Sequence, residues 1–188
     1  MPLCLLRANQ PASRPMPSSS EDYVSSEWLS FSFPSSLLPP PQPPRCTSRR
    51  TGGVRQRLLR AVEESRKTID IAVYNFTASE LAEALYAAKA RGVRIRVLTD
   101  QERAQTGGSG IRGLRLNGVP VRALGVPEQS LMHHKFAVFD ERIVVTGSYN
   151  WTNSAEHVNY ENVIVLDDPG VVNRFRQEFQ RLWREARE

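Results

Sequence analysis

Cysteine, lysine and histidine are scarce: two, three and three among 188 residues. Both cysteines, Cys4 and Cys46, fall in the first fifty residues, so no disulfide framework can staple the remainder of the chain. Neither cysteine has a partner Cys or His at zinc spacing, and His157 stands apart from both, so no metal and no cofactor is expected. Lys67, Lys89 and Lys135 are the only lysines, and arginine supplies nearly all of the positive charge. Lys135 is therefore one of few ammonium groups available for a special task. Long apolar runs are also missing. Leu3 to Leu6 is too short for a signal-peptide core and far too short for a membrane span, which predicts no stable membrane anchor and, by default, a cytoplasmic protein. No internal repeat is visible. The glycine-rich run Thr106 to Gly110 lacks the lysine of a phosphate loop and reads as a flexible loop at a site rim.

Proline is unevenly placed: ten of the thirteen lie before residue 50, among scattered serines. Such a stretch buries too little apolar surface to offset its ordering entropy, and residues 1–51 are expected to be a disordered tail. Within it, residues 27–33 are the candidate for an edge strand. The remaining chain, 52–188, is long enough for one domain with its own core. Net charge is +5, but after residue 50 twenty basic residues face seventeen acidic ones, a balance of only +3. Nucleic-acid binding is permitted by this balance without being demanded.

From Gly53 onward, helical and strand patterns alternate. Val54 to Arg66 reads as a helix, Thr68 to Tyr74 as a buried strand, and Thr77 to Glu80 as a capping box opening a helix to about Ala90. Val93 to Thr99 is a strand, Ile111 to Asn117 a short helix, and Val119 to Leu124 a further strand. Leu131 to Phe139 and Ile143 to Thr146 form a hairpin about the polar turn Asp140-Glu141-Arg142. Glu161 to Leu166 is the last strand, and Asp168-Pro169 starts a C-terminal helix with Val172, Phe175, Phe179, Leu182 and Trp183 as its core stripe. The fold class is α/β: a mixed sheet with helices on both faces.

The hairpin carries the chemistry. His133, Lys135, Asp140, Gly147, Ser148 and Asn150 place an imidazole, an ammonium, a carboxylate, a hydroxyl and an amide within eighteen residues. Alternation along the strand puts His133 and Lys135 on one face and His134 on the other, where it reads as a packing residue. The turn brings Ser148 and Asn150 back beside the His133 end. A nucleophile or proton carrier beside hydrogen-bond donors and one fixed cation suits a tetrahedral phosphate.

The spacing H-x-K-x4-D-x6-G-S-x-N resembles the signature of the phospholipase D (HKD) superfamily. Asn159 to Val163, Ile69 to Thr77 and Val93 to Leu98 extend that resemblance over roughly Val54 to Trp183. It is strongest to the single-motif branch that holds Nuc-type endonucleases and the mitochondrial cardiolipin hydrolase/Zucchini group. The resemblance implies a metal-independent phosphodiester hydrolase working through a phosphohistidine intermediate. Its implied catalytic residues are His133, Lys135, Asp140 and Glu161, with Lys135, Ser148 and Asn150 holding the phosphate. Glu161 would accept a hydrogen bond from His133, and Asp140 would hold the geometry of the motif. Family members with two motifs use two histidines, so one motif per chain implies a homodimer with a composite site, one His133 from each copy. Two substrates fit: nucleic acid, with Arg91, Arg94, Arg96, Arg112 and Arg115 as candidate backbone contacts, or a phospholipid such as phosphatidylcholine or cardiolipin losing its head group. A phosphate-binding scaffold without turnover is a third reading, disfavoured because it has no use for a nucleophile.

Overall fold

The structure, a computed structural model, describes residues 45–49, 53–106, 110–126 and 129–187. The candidate strand at 27–33 and the loop residues 107–109 lie outside these. Parallel strands β2 (Thr68–Val73), β3 (Arg94–Asp100) and β4 (Val121–Val126) are joined through helix α2 (Ser79–Ala90) and then through α3 (Gln101–Thr106) and α4 (Gly110–Leu116). Strands β6 (Lys135–Phe139), β7 (Ile143–Gly147) and β8 (Glu161–Leu166) form an antiparallel meander whose first member pairs with β2. Two short strands, β1 (Arg45–Arg49) on β8 and β5 (Ser130–Leu131) on β4, complete one sheet in the order β1-β8-β7-β6-β2-β3-β4-β5. Helices α1 (Val54–Glu64), α5 (Asn153–His157) and α6 (Pro169–Glu185) complete the domain. Strand β1 falls inside the stretch expected to be a tail; its backbone ladder with Glu161 to Val165 draws residues 45–49 into the domain.

Strand alternation divides the apolar side chains between two cores. Ile69, Ile71, Val73, Ala137 and Phe139 face α1, α2 and α4, whose Leu58, Val62, Leu81, Leu85, Ile111 and Leu114 are buried against them. Ala72, Leu98, Phe136, Val138 and Val144 face the other way, onto Val172, Phe179 and Leu182 of α6. All six residues of β2 are buried, as a strand covered on both faces requires. The fully buried Phe179 alone contributes about 2–3 kcal/mol of apolar transfer.

One buried carboxylate interrupts the α6 face. Asp70 of β2 accepts from Arg96 Nε at 2.8 Å and from its terminal nitrogen at 2.7 Å, and the guanidinium lies 4.9 Å from the Phe179 ring centroid and 5.3 Å from that of Trp183. Arg96 thus spends three of its five donors on Asp70 and Gln180 beneath α6, where it acts as a structural residue. Arg91, an exposed residue, donates through one terminal nitrogen to the carbonyls of Val62 and Glu63 at the end of α1.

Local signals succeed and fail for identifiable reasons. Asp168 caps α6, accepting from the Val171 N–H at 2.9 Å, with Pro169 in the first turn. The capping box at Thr77 to Glu80 does not form: Ala78 is the cap residue of α2, and Glu80 pairs with Arg55 at 3.1 Å instead. Thr77 and Ala78 donate their N–H groups to the Trp151 carbonyl, so tertiary contacts replace the local cap.

The largest departure is Leu131 to Phe139, expected as one strand. Ser130–Leu131 pairs with β4 near one edge, while Lys135–Phe139 lies four positions away between β7 and β2. Met132 to His134 must therefore cross the carboxyl ends of β3 and β2. The crossing is pinned at both strands: Asp100 Oδ2 accepts from the Met132 N–H at 3.1 Å, and the Tyr74 N–H donates to the His134 carbonyl at 2.9 Å.

Candidate active site

The crossing segment places His133 over the carboxyl ends of the central strands, where open α/β sheets bind ligands. Its Nε2 lies 3.2 Å from the Lys135 ammonium, which also donates to the His133 carbonyl at 2.9 Å. An ammonium offers only donors, so the contact requires a lone pair on His133 Nε2 and the proton on Nδ1. That tautomer is the one a nucleophilic imidazole needs. Burial lowers the Lys135 ammonium from its ordinary 10.5, and the Glu161 carboxylate opposes the shift. His134 points the other way, as alternation predicts, and its Nε2 sits 3.6 Å from Glu178 of α6. Burial pulls its ring below 6.5 against the attraction of Glu178.

Ser148, Tyr149 and Asn150 follow β7, and Tyr149 anchors the three. Its hydroxyl donates to Glu156 Oε2 at 2.8 Å in a buried network, where Glu156 also accepts from the Arg55 N–H at 3.2 Å. Burial and the adjacent Glu156 carboxylate raise the phenol strongly, so Tyr149 stays a neutral donor. With that ring held inward, the residues on either side face outward. Asn150 Oδ1 accepts from the Asn75 N–H at 3.3 Å, which leaves its amide NH2 as the end able to donate to a phosphate. The Ser148 hydroxyl donates to Glu161 Oε2 and accepts from the Asn162 N–H at 3.1 Å. Gly147 permits this packing: a Cβ there would overlap the Asn162 carbonyl of β8.

Glu161 is near the site but contacts different partners from those expected. Its carboxylate accepts from Ser148 and, at 3.1 Å, from the Asn159 amide; no hydrogen bond joins it to His133 among the described residues. Asp140 is not at the site at all. It lies at the far end of β6, about 16 Å from Lys135 at some 3.3 Å per residue. There it accepts from the backbone N–H groups of Arg66, Lys67 and Thr68 at 2.8, 2.7 and 2.9 Å, with its own φ at +50°. Burial would raise its carboxyl, but the donors from Thr68, Arg66 and Lys67 outweigh it and hold the group below 3.8. That position suits the geometry-holding role expected of it within the motif: it ties the motif hairpin to the α1–β2 connection.

Three further residues complete the site. The Tyr74 ring at the end of β2 lies 4.7 Å from the His133 ring and 5.3 Å from Lys135 Nζ. Arg103 of α3 donates through Nε to the Tyr74 hydroxyl at 2.9 Å. Asp100, almost fully buried, accepts from the N–H groups of Glu102 and Arg103 as well as from Met132. A carboxylate ending a buried strand was a readable signal for Asp100; nothing in the linear sequence marked Tyr74 or Arg103. Beside His133 a recess of about 940 Å³ opens between β4–β5 and α6, with Leu124, Met132, Arg181 and Glu185 among its walls. Of the candidate backbone contacts, Arg112 and Arg115 are exposed on α4, and Arg94 lies with Asp140 at the end away from His133. Among the described residues no three His, Cys, Asp or Glu side chains form a metal-binding cluster, and no helix is long and apolar enough to cross a membrane.

Comparison with known proteins gives a consistent set of relatives. The family model described as cardiolipin synthase, PLD-like domain, matches residues 58–183. A mitochondrial cardiolipin hydrolase of Xenopus tropicalis is 41% identical over 142 residues, covering 74% of this chain and 66% of that protein. One of Homo sapiens is 42% identical over 127 residues, covering 68% of this chain and 50% of that protein. The chain thus spans between half and about two thirds of the length of these two relatives. Among solved structures, Nuc from Salmonella typhimurium, a phospholipase D family member, superposes with a TM-score of 0.67 at 30% identity, over 77% of this chain and 97% of that one. The default expectation of a cytoplasmic protein does not stand, because the similar proteins are named as mitochondrial.

Proposed function

This chain belongs to the phospholipase D-like family of phosphodiesterases, and from that premise we propose that it is a metal-independent hydrolase cleaving nucleic acid through a phosphohistidine intermediate. The observation that carries the chemistry is the His133 Nε2–Lys135 Nζ contact of 3.2 Å at the open ends of the central strands. A phosphate entering between these groups exchanges the ammonium–imidazole hydrogen bond for an ion pair with Lys135 and in-line access for the imidazole. Neutral His133 attacks phosphorus, and the bond to the leaving oxygen breaks. A second imidazolium protonates that oxygen, then takes a proton from the water that hydrolyses the phosphohistidine. Lys135 and the Asn150 amide hold the non-bridging oxygens as charge builds on them, and the Ser148 hydroxyl joins them by turning its single proton from Glu161 to the phosphate. Glu161 fixes Ser148 and offsets part of the Lys135 charge. The domain of residues 52–188 supplies one such histidine, and a second copy of the chain supplies the other.

A mitochondrial setting fits the names of the relatives, and the same names favour a second reading, hydrolysis of cardiolipin. Exposed Leu131, Val158 and Tyr160 on segments beside the site would suit a lipid surface. The two readings separate in one assay. Full-length protein and His133→Ala are offered labelled single-stranded DNA, duplex DNA, RNA and cardiolipin vesicles, all in EDTA. Nucleic-acid cleavage that persists in EDTA and vanishes in the variant is the expected result. Lipid hydrolysis with intact nucleic acid would replace this reading with the second.

A further inference from the structure

We infer that Arg103 forms a subsite for the phosphate adjacent to the scissile one, so that the site favours substrates with phosphates in series. The inference rests on the nucleic-acid reading above and sharpens it. Two cations lie against the Tyr74 ring. Lys135 Nζ lies 5.3 Å from its ring centroid and the Arg103 guanidinium carbon 5.2 Å from it, so two phosphates joined by one sugar can meet both. Lys135 belongs to the reacting phosphate through its contact with His133. Among the described residues no hydrogen bond joins Arg103 to the imidazole, and its Nε bond to the Tyr74 hydroxyl, 2.9 Å, uses one of five guanidinium donors. Glu102 is the adjacent carboxylate, at 3.9 Å, too distant for a good hydrogen bond, and the Arg103 side chain is 38% exposed.

The spacing of the two cations is built in. Asp100 Oδ1 accepts from the Arg103 N–H at 3.2 Å, while Oδ2 of the same buried carboxylate accepts from the Met132 N–H at 3.1 Å, one residue before His133. A single side chain thus fixes the backbone of Arg103 and the backbone leading to the nucleophile. The Tyr74 bond then limits where the guanidinium can swing. A half-exposed cation held through its backbone by Asp100 and through Nε by Tyr74 matches a second anionic group beside the reacting centre.

The test compares a short single-stranded oligonucleotide with bis(p-nitrophenyl) phosphate, which carries one phosphate only, using wild type, Arg103→Gln and Arg103→Lys. Arg103→Gln should lower kcat/KM on the oligonucleotide by about 10- to 100-fold, as loss of one charge-assisted contact implies. Its loss on the small diester should be smaller by about tenfold or more, and the slope of log kcat/KM against log salt should become shallower by about one. Arg103→Lys should recover most of the oligonucleotide rate. Equal losses on both substrates would overturn the subsite, showing that Arg103 acts through Tyr74 on His133; so would an unchanged oligonucleotide rate. A wild type that hydrolyses the small diester and spares the oligonucleotide would instead sink the nucleic-acid reading, and the subsite with it.

Discussion

Lys135 shows at the scale of one residue how location sets chemistry. It opens β6 opposite Val73, with Phe136 buried immediately behind it, so its ammonium is partly desolvated and its proton is held less firmly than in water. Glu161 opposes this but does not cancel it. Because the charged form binds phosphate, kcat/KM should fall on the alkaline side with an apparent pKa below the ordinary 10.5. Arginine stays protonated across that range, so Lys135→Arg, whatever its residual rate, should lose this limb. A wild-type profile flat to pH 10.5 would show that the ammonium is not titrating there. Asp140 is the counterexample within the same motif. Expected to hold the motif's geometry, it accepts from three backbone donors at the far end of β6.

Among the elements, the hairpin and its neighbours were legible because their signals are local. Strand β8 was read with its observed bounds, α6 from its Asp-Pro start, and the two faces of β6 from simple alternation. Elements fixed by distant partners were not. β1 and β5 are short edge strands whose pairing depends on β8 and β4, and α3 depends on the Asp100 carboxylate at its start. Helix α5 was missed although Thr152 caps it, because five residues carry no readable periodicity. Most consequential was the break between β5 and β6, since a continuous apolar run concealed a crossing over two strand ends. Within the site, the residue types were legible and their bonding was not: Glu161 meets Ser148 instead of His133. Gly147 tests how far that bonding depends on strand separation. Gly147→Ala forces β7 away from the Asn162 carbonyl, at a cost of about 1–3 kcal/mol. Thermal denaturation should register that loss. Activity at a temperature where the variant is still folded should fall at least tenfold, because Ser148 moves with the strand; full activity there would dissociate Ser148 from catalysis.

At the scale of the whole molecule, the chain builds one His133–Lys135 unit at one end of one sheet, and His134 is turned away toward Glu178. His157, the remaining histidine, is exposed on α5. A double displacement needs a nucleophile and a general acid, which is why the account requires two copies of His133 in one composite site. The relatives support the fold and the family, while the pairing of two sites is a proposal for a mixed dimer to test. The most direct measurement co-expresses wild type and His133→Ala full-length chains under different tags, isolates the mixed dimer by tandem purification, and assays it on bis(p-nitrophenyl) phosphate in EDTA. With one histidine of the pair removed, the account predicts almost no turnover. Half of the wild-type rate would mean that each chain works alone, and the composite site would have to be given up.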